Sequence, residues 1–211
     1  MSSARSSRLL ERRFEDVRLT VALAARDLFL ECRSTAVTVE SIAQRAEVSE
    51  RTFYRHFPSK ADLISPLFER SNRSLICSLS ESDPGMCDIV DTLVELFTRE
   101  VAAGPAQHAE LLELLMATPE YRLRWESTDR NLIDAISEWL VRWSVHPQEH
   151  FTRRVTALTI MTASRASYME WTDNGRSGGI NGLRALHTKS FTALARPWLP
   201  ETDPTTESKR S

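Results

Sequence analysis

The sequence predicts an all-α protein: a three-helix N-terminal head and a larger C-terminal helical bundle, about nine helices. Three observations carry this. Apolar residues recur at i, i+3/i+4 and i+7 through long segments, the period of a helix with one buried stripe. Glycine is scarce, six in 211 residues, and four of them (Gly175, Gly178, Gly179, Gly182) sit in one loop. Of nine prolines, Pro58, Pro84, Pro105, Pro119, Pro147 and Pro197 fall between periodic segments, where they punctuate helices. No turn dipeptide joins two alternating segments, so nothing predicts a β-hairpin.

Residues 1–13, rich in Ser and Arg, are expected to form a flexible arm. The first helix then carries Phe14, Val17, Val21, Ala24, Leu28 and Cys32 on one stripe. Thr38 is placed to cap a helix over Val39–Ala46, where Val39, Ile42, Ala43 and Ala46 share a face. After a break at Glu47-Val48-Ser49, Ser49 caps a very short helix, Glu50–Phe57, which Pro58 ends. Ser59-Lys60-Ala61-Asp62 has the form of a capping box and opens the segment Lys60–Ser80. Pro66 falls inside that segment, so the helix is either kinked there or restarts after Ser65. Further helices are predicted over Asp88–Ala102, Pro105–Thr118, Pro119–Trp143, Pro147–Trp171 and Ile180–Trp198. Pro105, Pro119 and Pro147 suit a first helical turn, where a missing N–H costs nothing. Residues 200–211 are expected to be a disordered tail.

Two short helices joined by a tight turn behind a longer support helix describe a helix-turn-helix. At 100° per residue, the second short helix has Arg55 at about 40° and Tyr54 at about −60° from Arg51. Phe53 and Phe57 fall on the opposite side, near 200° and 240°. The helix therefore pairs an aromatic inner face with an Arg-Tyr-Arg outer face, flanked by Thr52 and His56. An arginine fork matches the O6 and N7 acceptors of guanine. Tyrosine and threonine hydroxyls, histidine and Lys60 suit phosphate oxygens, which fix register without reading sequence. The free N–H groups at Ser49 and Glu50 add a further anion site. Arg5, Arg8, Arg12 and Arg13 of the arm either follow the DNA backbone or belong to a solvated tail. An ordinary amphipathic helix pair with a charged exposed face has much the same pattern.

The order of residues is more specific. Thr38-Val39-Glu40-Ser41-Ile42-Ala43, then Ala46-Glu47-Val48-Ser49, then Thr52-Phe53-Tyr54-Arg55-His56-Phe57-Pro58-Ser59-Lys60 resembles the DNA-binding module of TetR-family transcriptional regulators. The resemblance covers roughly Val17–Leu67. It implies a DNA-binding domain over residues 14–60 and a regulatory and dimerisation domain over 61–199. It also implies that Thr38, Ser49, Thr52, Tyr54, His56 and Lys60 mainly hold the DNA backbone. Glu40, Glu50, Arg51 and Arg55 are then the candidates to touch base edges. Two positions depart from the family pattern. Arg33-Ser34 stands where the family commonly has glycine and an aromatic, and Glu47 stands at the turn position usually held by glycine.

Beyond residue 67 the resemblance is one of layout: a ligand-binding bundle whose last two long helices pair with a second copy. After Pro119, Tyr121, Trp125, Leu132, Ile136, Trp139 and Trp143 fall on one helical stripe. Core packing explains it; a pocket wall does so too, with Met116, Tyr121, Trp125, Trp139 and Trp143 as lining candidates for a hydrophobic or aromatic effector. Leu158, Thr162 and Ala166, with Leu183, His187 and Phe191 on the final helix, are the candidate dimer contacts; core packing explains these stripes too. Small Thr159, Ala163 and Ser167 would permit close helix approach. A two-fold dimer reads two half-sites where a lone helix-turn-helix reads few bases. The implied partners are double-stranded operator DNA, a small-molecule effector and a second copy, with the usual family outcome of repression.

Composition narrows the alternatives. Lys+Arg is 27 against Asp+Glu 29, a net of −2, which excludes a globally basic nucleic-acid coat. The charge is polarised, however: residues 1–60 carry +3 and the remainder −5. Cys32, Cys77 and Cys87 form no CxxC, so inert thiols of a cytoplasmic protein are expected. No apolar run of a signal peptide or membrane span is seen, and no membrane association is expected. No catalytic residues, metal or cofactor are expected. His146-Pro147-Gln148-Glu149-His150 matches H-x-x-E-H of some zinc peptidases without their surrounding context, so a metal-dependent hydrolase is the weak rival. A helical protein-interaction module without specific DNA binding is the other.

Overall fold

The computed structural model describes residues 2–82, 88–103, 107–143 and 149–195. His146, Pro147, the tail at 200–211, Cys87, Pro84, Pro105 and Pro197 lie outside the described residues. The described residues hold ten α-helices: α1 Ser2–Cys32, α2 Val39–Arg45, α3 Glu50–His56, α4 Ser65–Glu81, α5 Ile89–Ala103, α6 Gln107–Met116, α7 Pro119–Ser127, α8 Arg130–Trp139, α9 His150–Asp173 and α10 Gly179–Ala195. Short 3-10 segments at Lys60–Ile64 and Leu140–Trp143 join the set. The class is all-α.

Local chemistry sets most boundaries. Thr38 and Ser49 cap α2 and α3, accepting from the backbone N–H of Ser41 and Thr52 at 3.1 Å each. Asp62 closes the capping box by accepting from the Ser59 N–H at 2.9 Å. Both glycine-depleted positions keep a left-handed backbone: φ is +47° at Arg33 and +55° at Glu47. At the first, the Ser34 N–H reaches back to the Phe29 carbonyl (3.0 Å), ending α1 as a glycine would.

Several expectations need correction. The arm at 1–13 is helical from Ser2 onward, continuous with α1. Of the two readings of Pro66 the restart holds and the kink does not: Lys60–Ile64 is a 3-10 turn, and α4 begins afresh at Ser65 with Pro66 in its first turn. The segment Pro119–Trp143 is not one helix. It breaks at Thr128-Asp129, where Ser127 and Thr128 hydroxyls both donate to the Arg124 carbonyl. Long-range partners fix the break. Asn72 of α4 donates to the Thr128 carbonyl and the Asp129 carboxylate, while Arg165 of α9 donates to the Glu126 carbonyl and to Asp129.

Two large apolar cores result among the described residues, beside a smaller cluster of Val101, Trp171 and Leu183. One lies in the body between α4, α5, α8, α9 and α10, around Phe97, Ile136, Trp139, Ile160 and Phe191. The other centres on the head, around Phe29, Ile42, Phe53, Phe57 and Leu63. This second core continues without a gap into α6 and α7 through Leu111, Leu115 and Tyr121. Head and body are thereby packed together by side chains from both. At the far end α9 turns into α10 through the glycine loop, where the Trp171 indole N–H donates to the Gly179 carbonyl. A Cβ on Gly182 would stand 2.0 Å from the Ser177 carbonyl oxygen, so that turn requires glycine.

Candidate functional site

The head presents α3 outward because its inner face is fully engaged. Phe53 and Phe57 are completely buried, 5.5 Å apart between ring centroids, against α1 and α2. That leaves Glu50, Arg51, Tyr54 and Arg55 exposed on the opposite face. Thr38 and Glu40 of α2 and Ser49 at the α3 cap are exposed beside them, with Thr52 half-buried. The exposed face thus combines two arginines, a tyrosine and the N-terminal ends of two capped helices.

His56 and Lys60 sit differently from the rest of the predicted set. His56 is turned inward, 7% exposed, and its ring packs on Phe14 at 4.2 Å. Burial, with Arg55 and Arg18 nearby, pushes its pKa below the ordinary histidine value. Lys60 is half-buried and donates to the Thr35 carbonyl at 2.6 Å; burial lowers its pKa. Thr35 in turn shares a 2.8 Å hydrogen bond with Thr118 at the α6–α7 corner. Arg124 of α7 pairs with Asp62, and Tyr121 packs edge-on to Phe29. Helix α7 therefore grips the head through Thr118, Tyr121 and Arg124, contacts between distant residues that sequence spacing did not disclose.

The body encloses a cavity of about 60 Å³ between α4, α5, α7, α8 and α9. Phe68, Phe97, Trp125 and Tyr168 supply aromatic walls, and Glu100, Asp129 and Arg165 reach it with charged groups. Asp129 is 2% exposed; burial pushes its pKa up against the opposing pull of Arg165 and Asn72. Arg165 also lies over the Trp125 ring at 5.4 Å. A larger recess of about 680 Å³ opens between α4, α5 and α10. Its rim is mainly polar and charged, with Glu81, Asp91, Glu95 and Arg184, and it has no aromatic wall.

The predicted pocket residues do not converge. Trp125 lines the cavity, whereas Tyr121 and Met116 belong to the head core. Trp139 is buried in the body core, donating to the Ser82 hydroxyl at 2.7 Å, with Trp143 beside it at 5.1 Å. The broken helix is the reason: the six-residue stripe is divided between α7, α8 and the 3-10 segment that follows, and between two cores. The predicted dimer residues also divide. Leu158, Thr162 and Ala166 are exposed on α9, in line with Phe151 and Val155. Leu183, His187 and Phe191 are at most 1% exposed and pack inside their own chain, so they present no face to a second copy. Ser167 and Ser190 share a 3.0 Å hydrogen bond, so the small residues of α9 serve its close packing on α10.

Among the described residues no group of three or more His, Cys, Asp or Glu side chains is placed to hold a metal. Glu149 and His150 of the H-x-x-E-H segment stand at the start of α9. No helix of the described residues is long and apolar enough to cross a membrane.

Comparison with known proteins agrees with the geometry. Residues 23–66 match the bacterial regulatory proteins of the tetR family. The chain is 27% identical over 125 residues to the HTH-type transcriptional regulator EthR of Mycolicibacterium smegmatis, an alignment spanning 57% of this chain and 58% of that protein. Its fold is similar to that of the fatty acid degradation regulator FadR from Bacillus halodurans (TM-score 0.57, 19% identity, 84% of this chain and 94% of that one). It is similar also to NalD, the secondary repressor of the MexAB-OprM multidrug efflux pump in Pseudomonas aeruginosa (TM-score 0.54, 21% identity, 87% and 98%). The head, over residues 23–66, matches the tetR family of bacterial regulatory proteins, and the helical fold is similar to that of these solved regulators.

Proposed function

We propose that this protein is a DNA-binding transcriptional repressor that acts as a two-fold dimer and leaves its operator when a small, largely apolar effector enters the body. The observation that carries the reading is α3. Its aromatic face is locked into the head while Arg51, Tyr54 and Arg55 stand free on the other side. Such a helix fits the major groove, with arginine donating to guanine and the Tyr54 hydroxyl, Thr38 and Ser49 on phosphates. Glu40 and Glu50 are tolerated there by accepting from the cytosine amino group. Lys60 and His56 hold the docking helix in place from within the head rather than from its outer face.

The exposed stripe Phe151, Val155, Leu158, Thr162 and Ala166 on α9 is the natural seam for a second copy, joined by exposed Ala185 and Thr192 of α10. The dimer then sets two α3 helices about 34 Å apart or a near multiple. The effector site is the aromatic cavity of the body. From there Trp125 connects through α7 to Tyr121 and Arg124 in the head, so a ligand that favours another placement of α7 shifts the heads and releases the DNA.

Fluorescence anisotropy with DNA from upstream of its own gene tests the reading. Specific binding is expected to weaken steeply with salt, and Arg51→Ala to cost about 1–3 kcal/mol and relax sequence preference. Tyr54→Ala should weaken all sequences alike. Absence of binding to any genomic fragment would favour the protein-interaction module.

A further inference from the structure

The cavity of the body is not electrically balanced. Three charged side chains reach it: Asp129, Arg165 and Glu100. Arg165 and Asp129 neutralise each other. The guanidinium donates to the Asp129 carboxylate and to the Glu126 carbonyl, and its plane rests over Trp125. Glu100, reaching in from α5, accepts from the neutral Ser71 hydroxyl at 2.8 Å. Among the residues whose side chains are described, no Lys, Arg or His is paired with it. One negative charge is left over.

The walls pull in the same direction. Phe68, Phe97, Trp125 and Tyr168 surround the space, and the face of an aromatic ring carries negative charge density that attracts cations. An anion would meet Glu100 at close range and gain Arg165 only by displacing Asp129, stranding a buried carboxylate. A neutral ligand would strip water from Glu100 and leave it without a counter-charge. The chain beyond residue 60, with its net of −5, adds a long-range field of the same sign.

We propose that the body selects a monocationic, otherwise apolar organic molecule, a protonated or quaternary amine on a hydrophobic frame, with its charge held at Glu100 and its frame against the four rings. The proposal rests on the reading of this cavity as the effector site. In its present form the space accommodates only a few waters, so the ligand enters by moving Trp125 or Phe68 aside.

Direct calorimetric titration of the full chain, without DNA, tests this with three matched probes: benzyltrimethylammonium, its neutral carbon isostere neopentylbenzene, and the anion phenylacetate. The cation is expected to bind about tenfold or more tightly than either of the others. Glu100→Gln should abolish that preference and Glu100→Asp should keep most of it. Asp173→Asn, which removes a surface charge from the same body, should leave it unchanged. Equal or tighter binding of the neutral or anionic probe, an undiminished preference in Glu100→Gln, or no binding of the cation would each overturn the proposal. A failure here leaves operator binding by α3 standing, and a failure of DNA binding does not affect this titration.

Discussion

Glu47 and Arg33 show how a single residue can depart from a pattern while the backbone keeps it. Both take the left-handed conformation that glycine adopts without strain (φ +55° and +47°), held by the chain on either side. His187 shows the opposite case, an ordinary residue type made unusual by position. It is fully buried, its Nδ1 3.2 Å from the Thr98 hydroxyl and its Nε2 3.4 Å from the Ser164 hydroxyl, with Phe97, Tyr168 and Phe191 around the ring. Burial lowers its pKa from 6.5 to about 4. The unfolded chain therefore takes up a proton that the folded chain refuses between these values. Stability is full above pH 6.5 and falls as pH drops toward 4, by about 3 kcal/mol in all from this residue. Urea denaturation of His187→Phe alongside the parent chain should show a shallower decline over that window. Equal slopes would mean that His187 is not the titrating group.

At the scale of elements the corner between α7 and α8 matters most. Nothing in the local periodicity interrupts Pro119–Trp143, and only the run Ser127-Thr128-Asp129, whose side chains compete for backbone partners, hints at an end. What makes the corner is Arg165 and Asn72 arriving from α9 and α4. Asp129→Ala should therefore do more than remove a contact. It leaves the half-buried guanidinium of Arg165, 19% exposed, without its counter-charge, at an expected cost of about 3–5 kcal/mol in chemical denaturation. A loss below about 1 kcal/mol would place the corner's stability in the apolar packing around it instead. The same corner splits the aromatic stripe, sending Tyr121 to the head and Trp139 to the body core.

For the whole molecule, the exposed stripe on α9 lies on the same helix as the cavity lining, so the proposed assembly and the proposed regulation would be neighbours in space. Leu158 is 45% exposed at the middle of that stripe. In a two-fold dimer built on α9, Leu158→Glu would set two carboxylates against each other across the axis. Sedimentation should then show a monomer at micromolar concentration where the parent chain is a dimer, with helix content unchanged. A parent chain that sediments as a monomer would refute the dimer reading itself. The second apolar core, shared by α1–α4 with α6 and α7, joins head and body so that no break in packing falls at residue 60.

The sequence by itself determined the helical class, the two short capped helices and the aromatic anchoring of α3. Each follows from groups within one or two helical turns: Thr38 and Ser49 at their caps, Phe53 and Phe57 one turn apart, Pro58 at the stop. The polarised charge was legible too, since it needs only counting. Only the tertiary structure decided the inward turn of His56, the engagement of Lys60 with Thr35, the break before Arg130 and the burial of Leu183, His187 and Phe191. A helical stripe states that one face is covered but not by what. Whether the cover is the same chain, a second copy or a ligand depends on partners that come from distant positions, and local spacing carries no record of them.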